Sequence, residues 1–172
     1  MDKVKLYRIY NHFFWTEKII EQLNSHHPEL ISFQKRIPGF YDSIKDKAAQ
    51  AFLLFQKNVE TGIQLSECVD QSFQVANTGL HVSLYFMLQT VIYEHTKKEP
   101  SSKNLIVLSG YIRQYTGLFI EDGFPDTIFL RDLFVFAVKI ALLPIALIEE
   151  KLCEWESAQD RSLKILSYTP NE

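Results

Sequence analysis

The sequence predicts an all-α protein, a single-domain bundle of about five to six helices that ends in a long apolar helix. Apolar residues recur at intervals of three and four between Gly and Pro breaks, which is the helical spacing. No segment alternates apolar and polar residues as a half-buried strand would. The length of 172 residues and the 47% hydrophobic content fit one soluble domain with its own core.

The first part of the chain predicts two amphipathic helices with a short segment between them. Lys3–Ser25 carries apolar residues near one face. A restart is predicted at His27–Glu29, because proline suits the first helical position and an acidic residue there complements the helix dipole. Pro38–Gly39 ends that short segment. Tyr41–Glu60 has apolar residues at helical spacing, and Gly62 ends it as a C-terminal glycine.

The middle of the chain predicts three further helices. Leu65–Asn77 comes first and is followed by Ser83–Lys97, for which Ser83 is a suitable N-cap. The polar stretch 97–104 predicts a surface loop. Leu105–Ile120 predicts the third helix, which the turn-forming residues 121–125 close.

The last predicted helix is capped by Asp126 and continues to about Ala158. Pro144 lies inside it and predicts a kink or a split into two helices, since an interior proline costs about 3 kcal/mol. Its apolar part, Ile128–Ile148, approaches the length of a membrane span. We interpret that part as a helix buried almost all round, because charged residues interrupt it. Residues 1–160 are predicted to form the domain, and residues 161–172 a C-terminal tail that docks or stays loose.

Charge and cysteine content narrow the class of protein. The formal net charge of −3 argues against strong non-specific attraction to nucleic acid or anionic lipid. Residues 1–57 carry nine basic and six acidic side chains, and the rest carry nine and fifteen, an asymmetry that could orient two protomers head to tail. Cys68 and Cys153 are too few for a disulfide scaffold, so we predict a cytoplasmic protein in which both are buried or half-buried small hydrophobes.

Signatures of catalysis and of cofactor binding are absent from the sequence. Neither Glu-x-x-His nor His-Glu-x-x-His occurs, and there is no Gly-x-Ser-x-Gly elbow or glycine-rich phosphate loop. The nearest approach to a metal site is His26, His27 and Glu29, which we interpret as a polar turn with His27 as a weak cap. We therefore predict a protein that is not an enzyme and binds neither a metal nor a cofactor.

Three short motifs resemble a domain family of unknown function. This family consists of small, all-helical bacterial proteins that are often encoded in conjugative or other mobile elements. The resemblance covers most of residues 6–155 and implies a helical fold in the bacterial cytoplasm, but no activity. The three motifs are His27-Pro28-Glu29-Leu30, Gly79-Leu80-His81-Val82-Ser83 and Ile120-Glu121-Asp122-Gly123. A final long helix follows them.

The corner around the second motif supplies the candidate polar residues. Gly79 is predicted to end one helix, and Ser83 to begin the next. His81 is predicted to satisfy backbone carbonyls in this tight corner. Together with Asp122, these three residues form the weak candidate set for a polar site, functional or structural.

The leading functional hypothesis is a non-enzymatic interaction protein that binds a protein partner or itself. The aromatic content of 13% supports it, because it exceeds what a core of this size needs. One alternative is a nucleic-acid-associated accessory factor of a mobile element, suggested by the basic first third. A helix-turn-helix around Gly79 would require a more polar second helix. The other alternative is a small-ligand or enzymatic site within the bundle.

Overall fold

A computed structural model describes residues 2–80, 83–120 and 127–167. These residues contain helices and no strand, so the predicted all-α class is confirmed. Nine helices occur among them, more than the five to six predicted: α1 Lys3–Ile9, α2 His12–His26, α3 Pro28–Ser32, α4 Phe40–Glu60, α5 Leu65–Asn77, α6 Leu84–Thr96, α7 Ser102–Arg113, α8 Ile128–Ile140 and α9 Ile145–Ser167.

Asn11 accounts for one of the additional helices. Its side chain accepts a hydrogen bond from the Phe14 backbone N–H (3.1 Å) and donates one to the Arg8 carbonyl (3.0 Å). An Asx side chain that caps in this way offers the backbone an alternative to helical pairing. The predicted helix Lys3–Ser25 is therefore divided into α1 and α2.

Pro144 divides the predicted C-terminal helix into α8 and α9, so a single long apolar helix is wrong and the expected split is confirmed. The interpretation of this segment as buried almost all round is also wrong. Leu133 and Ala137 of α8 lie in the core, whereas Ile128 and Val135 are exposed. Within the described ranges, no helix combines the length and the apolar character that crossing a bilayer requires.

The buried apolar side chains form two clusters, which we call the N-terminal and the C-terminal cluster. The N-terminal cluster is built by α1 to α5 together with Leu80 and Leu118, and Trp15 and Phe55 are among its fully buried members. The C-terminal cluster is built by α6 to α9. The predicted division at residue 160 stays a prediction, and α9 runs across it to Ser167.

The contact of α3 with α7 joins the two clusters. Leu30 of α3 belongs to the N-terminal cluster, whereas Leu108 and Ile112 of α7 belong to the C-terminal one. The ring of Phe33, directly after α3, lies so close to the α7 backbone that a Cβ atom added to Gly110 would overlap it. Glycine at position 110 thus determines how near the two helices can lie.

We predict that Gly110→Ala destabilises the protein by about 1 to 3 kcal/mol, because the added methyl group overpacks the α3–α7 contact. Helix propensity alone would give the opposite sign, since alanine is favoured over glycine inside a helix by about 1 kcal/mol. Urea unfolding measures the change, and Phe33→Leu in the same background is expected to recover part of it. A variant more stable than the wild type would contradict the close approach.

Candidate functional site

Gly79 lies in the turn after α5, where the backbone contacts the segment that follows α7. Its φ of +89° lies in the region that favours glycine, and its carbonyl accepts a hydrogen bond from the Ile120 backbone N–H (3.0 Å). A Cβ atom here would lie 2.9 Å from that same nitrogen. Gly79 is therefore required by both its conformation and this close approach.

Ser83 caps α6, as predicted. Its hydroxyl oxygen accepts from the Phe86 backbone N–H (3.5 Å) and donates to the His26 carbonyl at the end of α2 (3.0 Å). Ser83 consequently ties the two clusters together while it begins a helix. The other two candidates, His81 and Asp122, lie outside the described residues.

Three ionisable side chains meet between α3 and α7, and we call them the buried ionic cluster. His27, Glu29 and Arg113 are all fully buried. Glu29 Oε1 lies 3.7 Å from both Arg113 Nε and His27 Nδ1. His27 is the N-cap residue of α3, as predicted, but its side chain makes no capping bond and is buried instead of lying in a polar turn. Tertiary packing thus buries His27 and Glu29, although both are of residue types that usually lie at the surface.

The hydrogen bonding of His27 fixes which ring nitrogen carries a proton. Its Nε2 lies 2.6 Å from the Leu80 carbonyl oxygen, which can only accept, so Nε2–H is the donor. Its Nδ1 lies 3.7 Å from Glu29 Oε1.

Arg113 supplies the positive charge of the cluster. Burial lowers its pKa, and the neighbouring charge of Glu29 acts in the opposite direction. An arginine so placed keeps its proton at physiological pH. Since a buried carboxylate is costly unless it is paired, this guanidinium makes the burial of Glu29 tolerable.

A cleft of about 610 Å³ opens between the end of α3, α7 and α9, and we call it the α3–α9 cleft. Lys35 and Arg36, which follow α3, line one side, and Glu149 and Glu156 of α9 line the other. Its apolar lining includes Phe33, Tyr111 and Leu152. The volume falls within the range that small-molecule sites occupy.

Cys153 also lines the cleft and is exposed, so its prediction as a buried hydrophobe is wrong. Cys68 is buried as predicted, and its thiol lies 3.4 Å from the Ile63 carbonyl oxygen. The difference arises because Cys153 lies on the solvent side of α9. Among the described residues, no group of three or more His, Cys, Asp and Glu side chains is arranged to hold a metal ion.

No family model, no curated protein and no solved structure matches this chain.

The site residues that the sequence did not predict are Arg113 and the lining of the α3–α9 cleft. Arg113 had one local signal, because a basic residue in the last turn of a helix complements the dipole. That signal does not distinguish a buried arginine from an exposed one.

We predict that Glu29→Gln destabilises the protein by about 3 kcal/mol or more, because it removes a negative charge that lies beside the buried Arg113 guanidinium. The matched control is Glu21→Gln, which removes the exposed partner of Lys18 (2.7 Å) and should cost less than about 1 kcal/mol. Chemical unfolding of both variants at neutral pH compares them. Equal costs would show that the buried ionic cluster has no special role in stability.

We predict that stability falls as the pH rises above about 9 to 10. Burial raises the pKa of Tyr7, Cys68 and Tyr111, and contact with Tyr115 raises that of Tyr111 further. The folded state therefore keeps protons that the unfolded chain releases, so the stabilisation is complete below the unfolded pKa values and is lost above them.

Urea unfolding between about pH 8 and pH 11 measures this loss. Tyr111→Phe should reduce the slope above pH 10, whereas Tyr93→Phe, which removes a half-exposed phenol, controls for the loss of a tyrosine. A stability that stays constant over this range would contradict the prediction.

Proposed function

We propose that this protein is a non-enzymatic helical interaction protein that self-associates, and that two copies pair through the outward face of α8. The observation that carries the proposal is a stripe of exposed apolar residues at a spacing of seven. Ile128, Val135 and Leu142, which follows α8 directly, are 78%, 51% and 41% exposed. Ile128 and Val135 lie on one face of α8 and Leu142 lies in the turn after it, so the stripe supplies one of the two apolar positions that repeat in a helix-pairing seam.

The charges on the same face favour a second copy of this chain as the occupant. Asp132 and Lys139 are both exposed and are also seven residues apart. When two α8 helices pair antiparallel about a two-fold axis near Val135, Asp132 of each copy comes near Lys139 of the other. This arrangement is isologous and closes at two copies. Charge pairs that flank an apolar seam set the orientation of its partner.

The neighbouring helix can enlarge the contact. Phe86 and Tyr93 of α6 are each 49% exposed and lie seven residues apart, and α6 packs with α8 in the C-terminal cluster. A stable dimer interface typically buries about 800 Å² on each partner, more than one helix stripe provides. Exposed aromatic rings of this kind are enriched in such interfaces.

The other functional hypotheses stay predictions. These are a cytoplasmic bacterial location, a mobile-element context and an accessory role at nucleic acid. The exposed Lys3, Lys5 and Arg8 of α1 are the basic residues such a role would use first. Binding to DNA and RNA at low salt would support it, and titration with salt would show whether phosphate contacts carry it.

We predict a concentration-dependent monomer–dimer equilibrium that Val135→Glu shifts towards monomer, because the variant places a carboxylate in the apolar seam. Lys139→Asp should weaken the dimer by roughly tenfold, because it sets like charges against Asp132 of the second copy at two places. Sedimentation equilibrium between about 1 and 200 µM measures both effects.

The double variant Asp132→Lys with Lys139→Asp exchanges the two charges and should restore most of the wild-type affinity. Lys5→Glu, on the exposed surface of α1, carries the same change in net charge as Lys139→Asp and serves as the control. A wild-type protein that stays monomeric throughout this range would overturn the proposal. A dimer unaffected by both α8 substitutions would place the interface elsewhere and overturn it equally.

A further inference from the structure

The two sides of the α3–α9 cleft carry opposite charges. Lys35 and Arg36 are exposed on the side formed by the connection from α3 to α4. Glu149 and Glu156 are exposed on α9, and their spacing of seven places them two turns apart on one face of that helix. In the part of the chain that the structure describes, no ion pair within 4 Å joins these two sides. The cleft thus holds separated positive and negative walls.

The positive wall is held in position by aromatic packing. The Arg36 guanidinium lies 5.6 Å from the centroid of the Phe33 ring, within cation–π range. The Arg36 backbone N–H donates to the Phe33 carbonyl (2.8 Å), which closes the turn after α3. The Phe33 ring also lies close to the backbone of Gly110. A cation fixed in this way loses little freedom when it binds an anion.

Between the charged walls lies an apolar lining. Tyr111 is 4% exposed and Leu152 is 5% exposed, and the Tyr111 hydroxyl donates to the Leu152 carbonyl at 3.4 Å. Because burial and contact with Tyr115 raise its pKa, this phenol stays protonated at physiological pH and keeps its donor. An apolar middle flanked by opposite charges is the complement of an amphipathic zwitterion.

We propose that the α3–α9 cleft binds a small peptide-like zwitterion, with its carboxylate at Lys35 and Arg36, its ammonium group at Glu149 and Glu156, and apolar side chains between them. The size of the cleft agrees with this class. A tripeptide extends over about 10 Å, and a volume of about 610 Å³ has a similar linear dimension. This binding site is separate in residues from the outward face of α8.

The test is a titration of the full-length ¹⁵N-labelled protein with the tripeptide Leu-Phe-Leu, followed by two-dimensional NMR. We expect saturable shifts of the backbone signals of Phe33, Tyr111 and Cys153, with a Kd of roughly 0.1 to 1 mM. Acetylation of the amino end or amidation of the carboxyl end of the peptide should each weaken binding about tenfold, because each removes one of the two charges.

Matched variants assign each end of the peptide to its wall. Arg36→Glu should weaken the free peptide about tenfold and should leave the affinity of the amidated peptide little changed. Glu156→Lys should weaken the free peptide about tenfold and should leave the affinity of the acetylated peptide little changed. Lys5→Glu on α1 and Glu94→Lys on α6 carry the same charge changes away from the cleft and should bind as the wild type does.

All four substitutions are at exposed positions, so each variant is expected to fold. Circular dichroism checks this. Loss of affinity confined to the two cleft variants supports the proposal. No saturable shift at about 10 mM peptide overturns it, and so does equal affinity for the free and the blocked peptides. Shifts confined to α6 and α8 overturn it as well, because they place the peptide on another surface.

Discussion

The contact between Glu29 and Arg113 is the interaction on which the arrangement of this protein depends. Each ion loses several kcal/mol of hydration when it is fully buried, and a partner at close range is what offsets that loss. Glu29 lies on a helix of only five residues, α3, which provides little apolar surface of its own. Because Arg113 ends α7, the pair sets the position of α3 along that helix and joins the two apolar clusters.

Several other features of the α3–α7 contact agree with this constraint. Gly110 lies one turn before Arg113 and lets Phe33 approach the α7 backbone. On the opposite side, the Leu80 carbonyl accepts from His27, so the corner after α5 is attached to the beginning of α3. Gly79 then permits the close passage of Ile120. The corner that the sequence indicated is thus part of the same buried junction.

The α3–α9 cleft lies where the contact between α3 and α7 ends. Phe33 packs on α7 at Gly110, and α9 contacts α7 through Tyr111 and Leu152. The space left between them is lined by charged side chains that no helix covers. No residue of α8 lines this cleft, so the proposed pairing of two copies and the proposed binding of a small ligand involve different residues of the chain.

The sequence by itself determined most of the helices. Helix α5 was predicted at its observed bounds, Leu65–Asn77, and α4 to within one residue, because apolar spacing and terminal residues act locally. The break at Asn11 was missed, since the aromatic residues on both sides of it continue the helical period. The division at Pro144 was expected, because the effect of proline on a helix is covalent.

Only the tertiary structure decided which polar residues became interior and which apolar residues stayed outside. Glu29 and Arg113 are far apart in the chain, and a local pattern states which face of a helix is apolar, not which partner covers it. For the same reason, Cys153 and Val135 were expected inside and lie at the surface. Burial depends on which helices pack together, and that is a property of the whole fold.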